Sequence, residues 1–476
     1  MKALLSNIGF VLQMSGIFII LPIIVSFVFN ETSATIALFL AATGFLALGF
    51  LLNALCERKE LTFKRSCSLI VLVFILLSII GSIPYMYLNT SRGDIIQNFT
   101  DSIFESTSGF TTTGLSVISN LSVIPKSIIF YRSLTQFVGG IGIVLVLLAF
   151  FYPEAKLQEF SRGMGFIKNH KIKKTFFLIL LVYLTCTIVM ICLGFLLGYR
   201  DIVNLISFIF SGLSTGGFAP LNDITKVATQ FPLNFILIAS MILGAANFFV
   251  LAGLFKRRFK EFFKSEISIF FIMVVISIAA TIIIFRLSVF DSIFHIISAM
   301  STTGFSYLSV QNFPGGLKIL LIFLMFVGGA SFSTAGGIKI FRFLLLFKAA
   351  KKAIVDSITK QNTQIKLFGK EYSNTDIIHA MVVVVAMAGL IFISAFIVSS
   401  YGHPPIDSVF EVTSAIATTG LSTGVVGPSL ALELKWLFVL IMILGRVEIL
   451  AFFIMFSKIK EPKSLRVTIE HDLGVR

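Results

Sequence analysis

Apolar stretches about as long as a bilayer is thick recur along the chain, separated by short polar and basic segments. The pattern predicts ten spanning helices, at roughly residues 7–29, 34–55, 67–89, 126–151, 175–198, 232–255, 266–287, 317–347, 376–400 and 433–457. Between these lie four shorter apolar segments that each run into the same polar element. The copies are Ser108-Gly109-Phe110-Thr111-Thr112-Thr113-Gly114-Leu115, Ser211-Gly212-Leu213-Ser214-Thr215-Gly216-Gly217-Phe218, Ser298-Ala299-Met300-Ser301-Thr302-Thr303-Gly304-Phe305 and Ser414-Ala415-Ile416-Ala417-Thr418-Thr419-Gly420-Leu421, and they align without a gap. One Thr-Thr-Gly is an ordinary loop or helix cap, but four in register are a repeat.

Thirteen residues before the final glycine of each copy stand Asp101, Asn204, Asp291 and Asp407, residue types that favour helix N-caps. The helix expected from each cap has about ten residues and rises only ~15 Å, half the ~30 Å hydrocarbon core. Each segment therefore reads as a re-entrant pore helix followed by an extended strand. The expected fold is an all-α polytopic membrane protein with ten transmembrane helices and four re-entrant pore helices. It divides into an N-terminal helix pair at 1–66, four pseudo-symmetric span-pore-span units at 67–152, 173–256, 266–348 and 376–457 around one pore, and a tail at 458–476.

Composition agrees: 57% of residues are hydrophobic and 13% charged, which excludes an ordinary soluble domain. The net charge of +15 invites a nucleic-acid reading, which the placement of the charge rejects. Basic residues gather in alternate loops, such as Arg58, Lys59, Lys64 and Arg65, then Lys168, Lys171, Lys173 and Lys174, then Lys256, Arg257 and Arg258. The positive-inside rule makes those loops and both termini cytoplasmic, and all four Thr/Gly copies then enter from outside. The first span is too long for a signal-peptide core and no cleavage site follows it. Cys56, Cys67, Cys186 and Cys192 form no disulfide framework and read as apolar fillers.

Polar backbone at membrane depth must be buried in protein or line a water-filled path. A ring of four such strands does the second: carbonyl oxygens replace the shell that a potassium ion sheds, and pore-helix C-termini favour a cation. The expected filter is Thr112, Thr113, Gly114, Thr215, Gly216, Gly217, Thr302, Thr303, Gly304, Thr418, Thr419 and Gly420, holding K⁺ and no other metal. The second copy departs from Thr-Thr-Gly and lacks one hydroxyl. Within the long span 317–347 lies Gly328-Gly329-Ala330-Ser331-Phe332-Ser333-Thr334-Ala335-Gly336-Gly337, small and polar where a lipid-facing helix would be Leu-rich. It reads as an unwound gate below the ring, the alternative being close helix packing.

Intramembrane charges are normally paired. Arg132, Glu105 and Glu411 are expected to pair and tie pore helices to outer spans, whereas Arg446 is expected near the conduction path, tuning throughput or holding the gate, and Glu448 lies beside it. His295 and His403 read as packing and loop residues. No Gly-x-x-x-x-Gly-Lys-Ser/Thr motif and no nucleophile-base pairing stand out, so neither an enzyme nor a cofactor is expected.

The fourfold pattern resembles the Trk/Ktr/HKT superfamily of potassium transporters. Phe130-Tyr131-Arg132 with Gly139-Gly140-Ile141-Gly142, the 328–337 segment continuing into Ile340-Phe341-Arg342, and Leu444-Gly445-Arg446-Val447-Glu448 are similar to its bacterial TrkH/TrkG branch, as is the extra N-terminal pair. The resemblance implies gated K⁺ uptake across the bacterial inner membrane, a homodimer in membrane lipid with one pore per subunit, and a cytoplasmic ring of TrkA-like nucleotide-binding regulatory subunits. The alternatives are H⁺- or Na⁺-coupled symport, or a non-conducting or pump-associated membrane subunit.

Overall fold

The computed structural model describes residues 2–54, 63–91, 93–150, 172–255, 257, 262, 265–359, 365–368 and 370–456. The expected tail at 458–476 and the loop residues 55–62 and 151–171 lie outside them. The chain is mostly helical, as its apolar runs dictate. α1 (Lys2–Phe18), α2 (Ile20–Val28) and α3 (Thr32–Ala54) precede α4 (Phe63–Gly81), α5 (Ile83–Tyr87), α6 (Ile95–Phe110) and α7 (Lys126–Phe150). Next come α8 (Ile172–Leu196), α9 (Ile202–Leu213), α10 (Thr225–Thr229), α11 (Leu233–Ala245) and α12 (Phe248–Phe255). α13 (Glu266–Phe285), α14 (Val289–Met300), α15 (Gly315–Val327) and α16 (Ile340–Thr359) lead to a small antiparallel hairpin, β1 (Ile365–Leu367) with β2 (Lys370–Tyr372). α17 (Asn374–Ser400), α18 (Pro405–Ile416), α19 (Leu432–Val447) and α20 (Ile449–Phe456) complete it.

α1 and α3 pack through glycine: a Cβ on Gly9 would meet the Gly49 carbonyl, and one on Gly49 the Gly9 carbonyl. Small residues permit this approach where lipid gives helices no hydrophobic reason to associate. The pair is also pinned at its turn. Glu31 accepts from the backbone N–H groups of Lys126 (2.7 Å) and Ser127 (3.0 Å), and so satisfies orphan donors at the start of α7 with a carboxylate.

Among the described residues six helical stretches are long and apolar enough to cross a membrane, and eight if each of two bent pairs counts as one span. The span read as interrupted does divide, and two others bend sharply where straight helices were expected. Residues 317–347 divide into α15 and α16, with no helix from Gly328 to Lys339. The expected span 232–255 bends by 113° between α11 and α12, and 433–457 by 96° between α19 and α20. At the first bend Asn247 turns its side-chain oxygen to the Phe249 N–H and caps the new helix (2.9 Å). The 328–339 stretch fills that break: Ala330 N–H donates to the Ala245 carbonyl (3.0 Å), Thr334 N–H to Gly244 (3.1 Å), and Phe248 N–H to Phe332 (3.1 Å). Irregular backbone from two helices thus satisfies itself, as membrane depth requires.

The four short helices before the Thr/Gly copies are α6, α9, α14 and α18. Their caps correct the expectation. The first three start at Asp94, Asp201 and Ser288, whose side chains accept from the N–H three residues on, and the fourth at Pro404. Asp101 is therefore inside α6, and Asn204, Asp291 and Asp407 sit in the first turns of the other three.

Candidate functional site

All four short helices end in the same turn. The N–H groups of Thr112, Thr215, Thr302 and Thr418 donate three residues back, to Gly109, Gly212, Ala299 and Ala415, and the next N–H in each copy reaches five back, to Ser108, Ser211, Ser298 and Ser414. This is a Schellman-type end, which ordinarily places glycine in the left-handed position. Here that position holds threonine four times, with φ of 53°, 54°, 53° and 48°. A β-branched residue there is a genuine outlier, and such strain persists only where surrounding structure imposes it.

What imposes it is a closed ring. A Cβ on Gly114 would strike the carbonyl oxygen of Gly216, on Gly217 that of Thr303, on Gly304 that of Thr419, and on Gly420 that of Thr113. Each glycine has φ between 77° and 89°, and each gives its missing side chain's space to a carbonyl of the next copy. The cycle closes in chain order, one to two to three to four to one. The twelve residues named from the sequence all lie in or beside it, and all their Thr side chains are buried.

Their hydroxyls differ among copies. Thr113 Oγ1 pairs with Thr111 Oγ1 (2.8 Å) and Thr303 Oγ1 with Ser301 Oγ (2.7 Å), a brace behind the strand. In the fourth copy Ala417 stands where that partner would be, and Thr419 Oγ1 is buried without one. In the second copy Gln136 of α7 enters instead, giving its side-chain N–H to the Gly216 carbonyl (2.6 Å) and accepting from Phe218 N–H (3.1 Å).

A second repeat holds the exit of three of the four strands. Nine residues before and two after the final glycine, Glu105 pairs with Ser116 (3.0 Å), His295 Nε2 with Ser306 Oγ (3.1 Å) and Glu411 with Ser422 (2.5 Å). In the second copy these positions are Phe208 and Ala219, an apolar pair. His295, expected only to pack, is thus one of three equivalent clips; the shared register was the signal that would have found it. Arg132 pairs with Glu105 as expected (2.6 Å), and its guanidinium lies 4.1 Å from the centre of the Phe218 ring, one residue past Gly217. Glu411 departs from expectation: it accepts from Ser422, from the N–H groups of Thr423 (2.9 Å) and Val426 (3.0 Å), and from Thr423 Oγ1, so among the described residues it binds its own loop and no outer span.

The seams between copies carry specific bonds. Lys318 of α15 meets Asp407 at 2.7 Å, and Lys435 of α19 meets Asp101 at 2.6 Å, which joins copy three to four and four to one. Two of the four residues expected to be helix caps are instead anion partners across these seams. Asn222 bridges copies one and two through Leu121 N–H and the Asn120 side chain, both at 2.7 Å.

The 328–337 stretch lies against the ring's base. Gly336 N–H donates to Thr302 Oγ1 (2.7 Å), and a Cβ on Gly336 would strike the Ala417 carbonyl. Thr334 Oγ1 donates at a site shared by the carbonyls of Leu213 (2.8 Å) and Gly244 (2.9 Å), while Ser331 N–H donates to Glu266 (2.7 Å). Arg446 grips the stretch, its guanidinium donating to the Thr334 carbonyl (2.9 Å) and to Gly139 (2.8 Å). Glu448, at the α19–α20 bend, pairs with Arg342 at 2.9 Å.

Long apolar helices that converge on a buried ring of uncharged backbone loops define an integral-membrane transport protein. The family model described as TrkH, cation transport protein, matches residues 32–466, and the chain belongs to that family. It is similar to an uncharacterized cation transporter of Methanocaldococcus jannaschii, 30% identical over 475 residues, or 96% of this chain and 95% of that one. The Trk system potassium uptake protein TrkH of Halomonas elongata is 26% identical over 487 residues, 96% of this chain and 98% of its own. The crystal structure of the potassium transporter TrkH from Vibrio parahaemolyticus shares the fold, with a TM-score of 0.83 at 22% identity, covering 96% of this chain and 98% of that one.

Proposed function

We propose that this protein takes up potassium through a gated, channel-like pore whose selectivity filter is the Thr/Gly ring, Thr112 to Gly114, Thr215 to Gly217, Thr302 to Gly304 and Thr418 to Gly420. One observation carries the reading: each of the four glycines packs against a carbonyl of the next copy, closing a cycle within one chain. Backbone oxygens held at membrane depth without a charged side chain among them suit an ion that exchanges its hydration shell for carbonyls. The potassium uptake relatives support the choice of ion. In this reading α6, α9, α14 and α18 are pore helices, the four span-pore-span units surround one axis, and 328–337 is the gate, latched by Arg446 to Thr334. The protein then resides in a bacterial cytoplasmic membrane with both termini inside, as a homodimer served by TrkA-like nucleotide-binding subunits.

The test is growth of a potassium-uptake-deficient bacterium at low K⁺, together with flux in liposomes of the purified protein. Rescue and K⁺ flux that does not need an imposed proton gradient are expected; no rescue in a strain that inserts the protein overturns the proposal. Coupled symport is the second reading, favoured by Glu411, a buried carboxylate beside the fourth strand whose partners among the described residues are hydroxyls and amides. Flux that depends on the proton gradient would select it. A further expectation concerns the gate. Shortening 330–335 removes the Thr334 contacts and should raise K⁺ flux several-fold; unchanged or lower flux in a folded protein counts against the gate.

A further inference from the structure

We propose that Gln136 is a positioning residue for cation selectivity, and that Gln136 with Gly216 is a substitute for the hydroxyl brace of the first and third strands. The inference rests on the pore reading above and names a determinant within it. Three observations converge. First, the residue before the final glycine is Thr113, Thr303 and Thr419 in three copies but Gly216 in the second. Second, Gly216 has no space for a side chain while Gln136 is present, because an added Cβ would land on the Gln136 carboxamide. Third, that carboxamide clasps the strand on both sides of Gly217, donating to the Gly216 carbonyl at 2.6 Å and accepting from Phe218 N–H at 3.1 Å.

Strands one and three are braced from within their own copy, by Thr111 with Thr113 and Ser301 with Thr303. Strand two carries Ser214 at the corresponding position; it makes the same bond to the carbonyl three residues back that Ser301 makes (3.3 Å in each), but with only a hydrogen at residue 216 it has no hydroxyl to brace. The brace comes instead from α7, which belongs to the first copy. Arg132, one helical turn earlier, reaches the same strand at Phe218. The Gly216 carbonyl is also the oxygen that fills the space beside Gly114, so Gln136 sets the position of one quarter of the ring and of its neighbour's limit.

The arrangement makes the two designs exchangeable. Gln136→Met keeps the volume and removes both hydrogen bonds; in liposomes it should lower the K⁺/Na⁺ permeability ratio about five- to tenfold, the scale of a buried carbonyl left without its donor. Gly216→Thr alone forces its side chain into Gln136 and should lower the ratio as well. Gln136→Ala with Gly216→Thr empties that space, fills it with threonine beside Ser214, and should return the ratio to within about twofold of wild type.

A wild-type ratio in Gln136→Met, at unchanged elution and melting temperature, overturns the proposal. A double variant no better than either single overturns the exchange of braces. Hydrogen exchange over residues 214–219 reads the clasp without reference to transport: faster exchange in Gln136→Met supports it, and unchanged exchange overturns it even in a preparation that passes no ion. Wild-type protein without K⁺ flux but with that exchange difference would sink the pore reading and leave the clasp standing.

Discussion

Gly304→Ser should abolish potassium-dependent growth and weaken K⁺ preference in any residual flux, with Gly114→Ser showing the same direction. Two effects act together at residue 304. Its φ of 87° is one that a residue with a side chain rarely adopts, and a Cβ there would be driven into the Thr419 carbonyl. Backbone strain alone is worth ~1–3 kcal/mol, equivalent to about a 5- to 150-fold drop in the competent ring. The displaced carbonyl adds to this, because the neighbouring strand must retreat from the position in which it would face an ion. Gly427→Ala is the matched control, since that glycine has open space around its Cα. Wild-type K⁺ selectivity in a stably inserted Gly304→Ser protein would remove the ring from the conduction path.

The second large effect is on stability. Lys435→Met leaves Asp101 charged and buried without its cation, and removal of one member of such a pair costs ~3–5 kcal/mol. Lys435 and Asp101 are 1% and 2% exposed, against 10% and 16% for Lys318 and Asp407, so the fourth-to-first seam should suffer more than the third-to-fourth. Thermal unfolding in detergent should fall clearly for Lys435→Met, less for Lys318→Met, and recover most of the loss in Lys435→Met with Asp101→Leu. Recovery follows because a pair replaced by apolar residues carries no stranded charge. A Lys435→Met protein as stable as wild type would show that the seam contributes nothing.

The Thr/Gly repeat, the ring residues and the discontinuity at 328–337 were legible in the chain because each is a local pattern in register. Long-range partners were not. Asp101 and Asp407 have the residue type of a cap, and nothing nearby announces lysines 334 and 89 residues away. The bends after Ala245 and at Glu448 lie in runs apolar on both sides, so hydropathy reads straight through them; what breaks the first is Asn247 as a cap and an inserted stretch from another span. Gln136 is one of several polar letters in the first half of its helix, beside Arg132, Ser133 and Thr135, and nothing local singles it out. Its meaning emerges only with Arg132 four residues earlier and with the missing threonine at 216.

Closure of the ring through Asp101 and Lys435 also has a temporal meaning. The two partners are 334 residues apart in the order of synthesis, and the lysine comes from the penultimate helix described. A chain that ends before α19 has all four Thr/Gly strands but lacks the lysine that closes the fourth-to-first seam. Of the three seams described, the one between the fourth copy and the first is therefore the last that the lengthening chain can form.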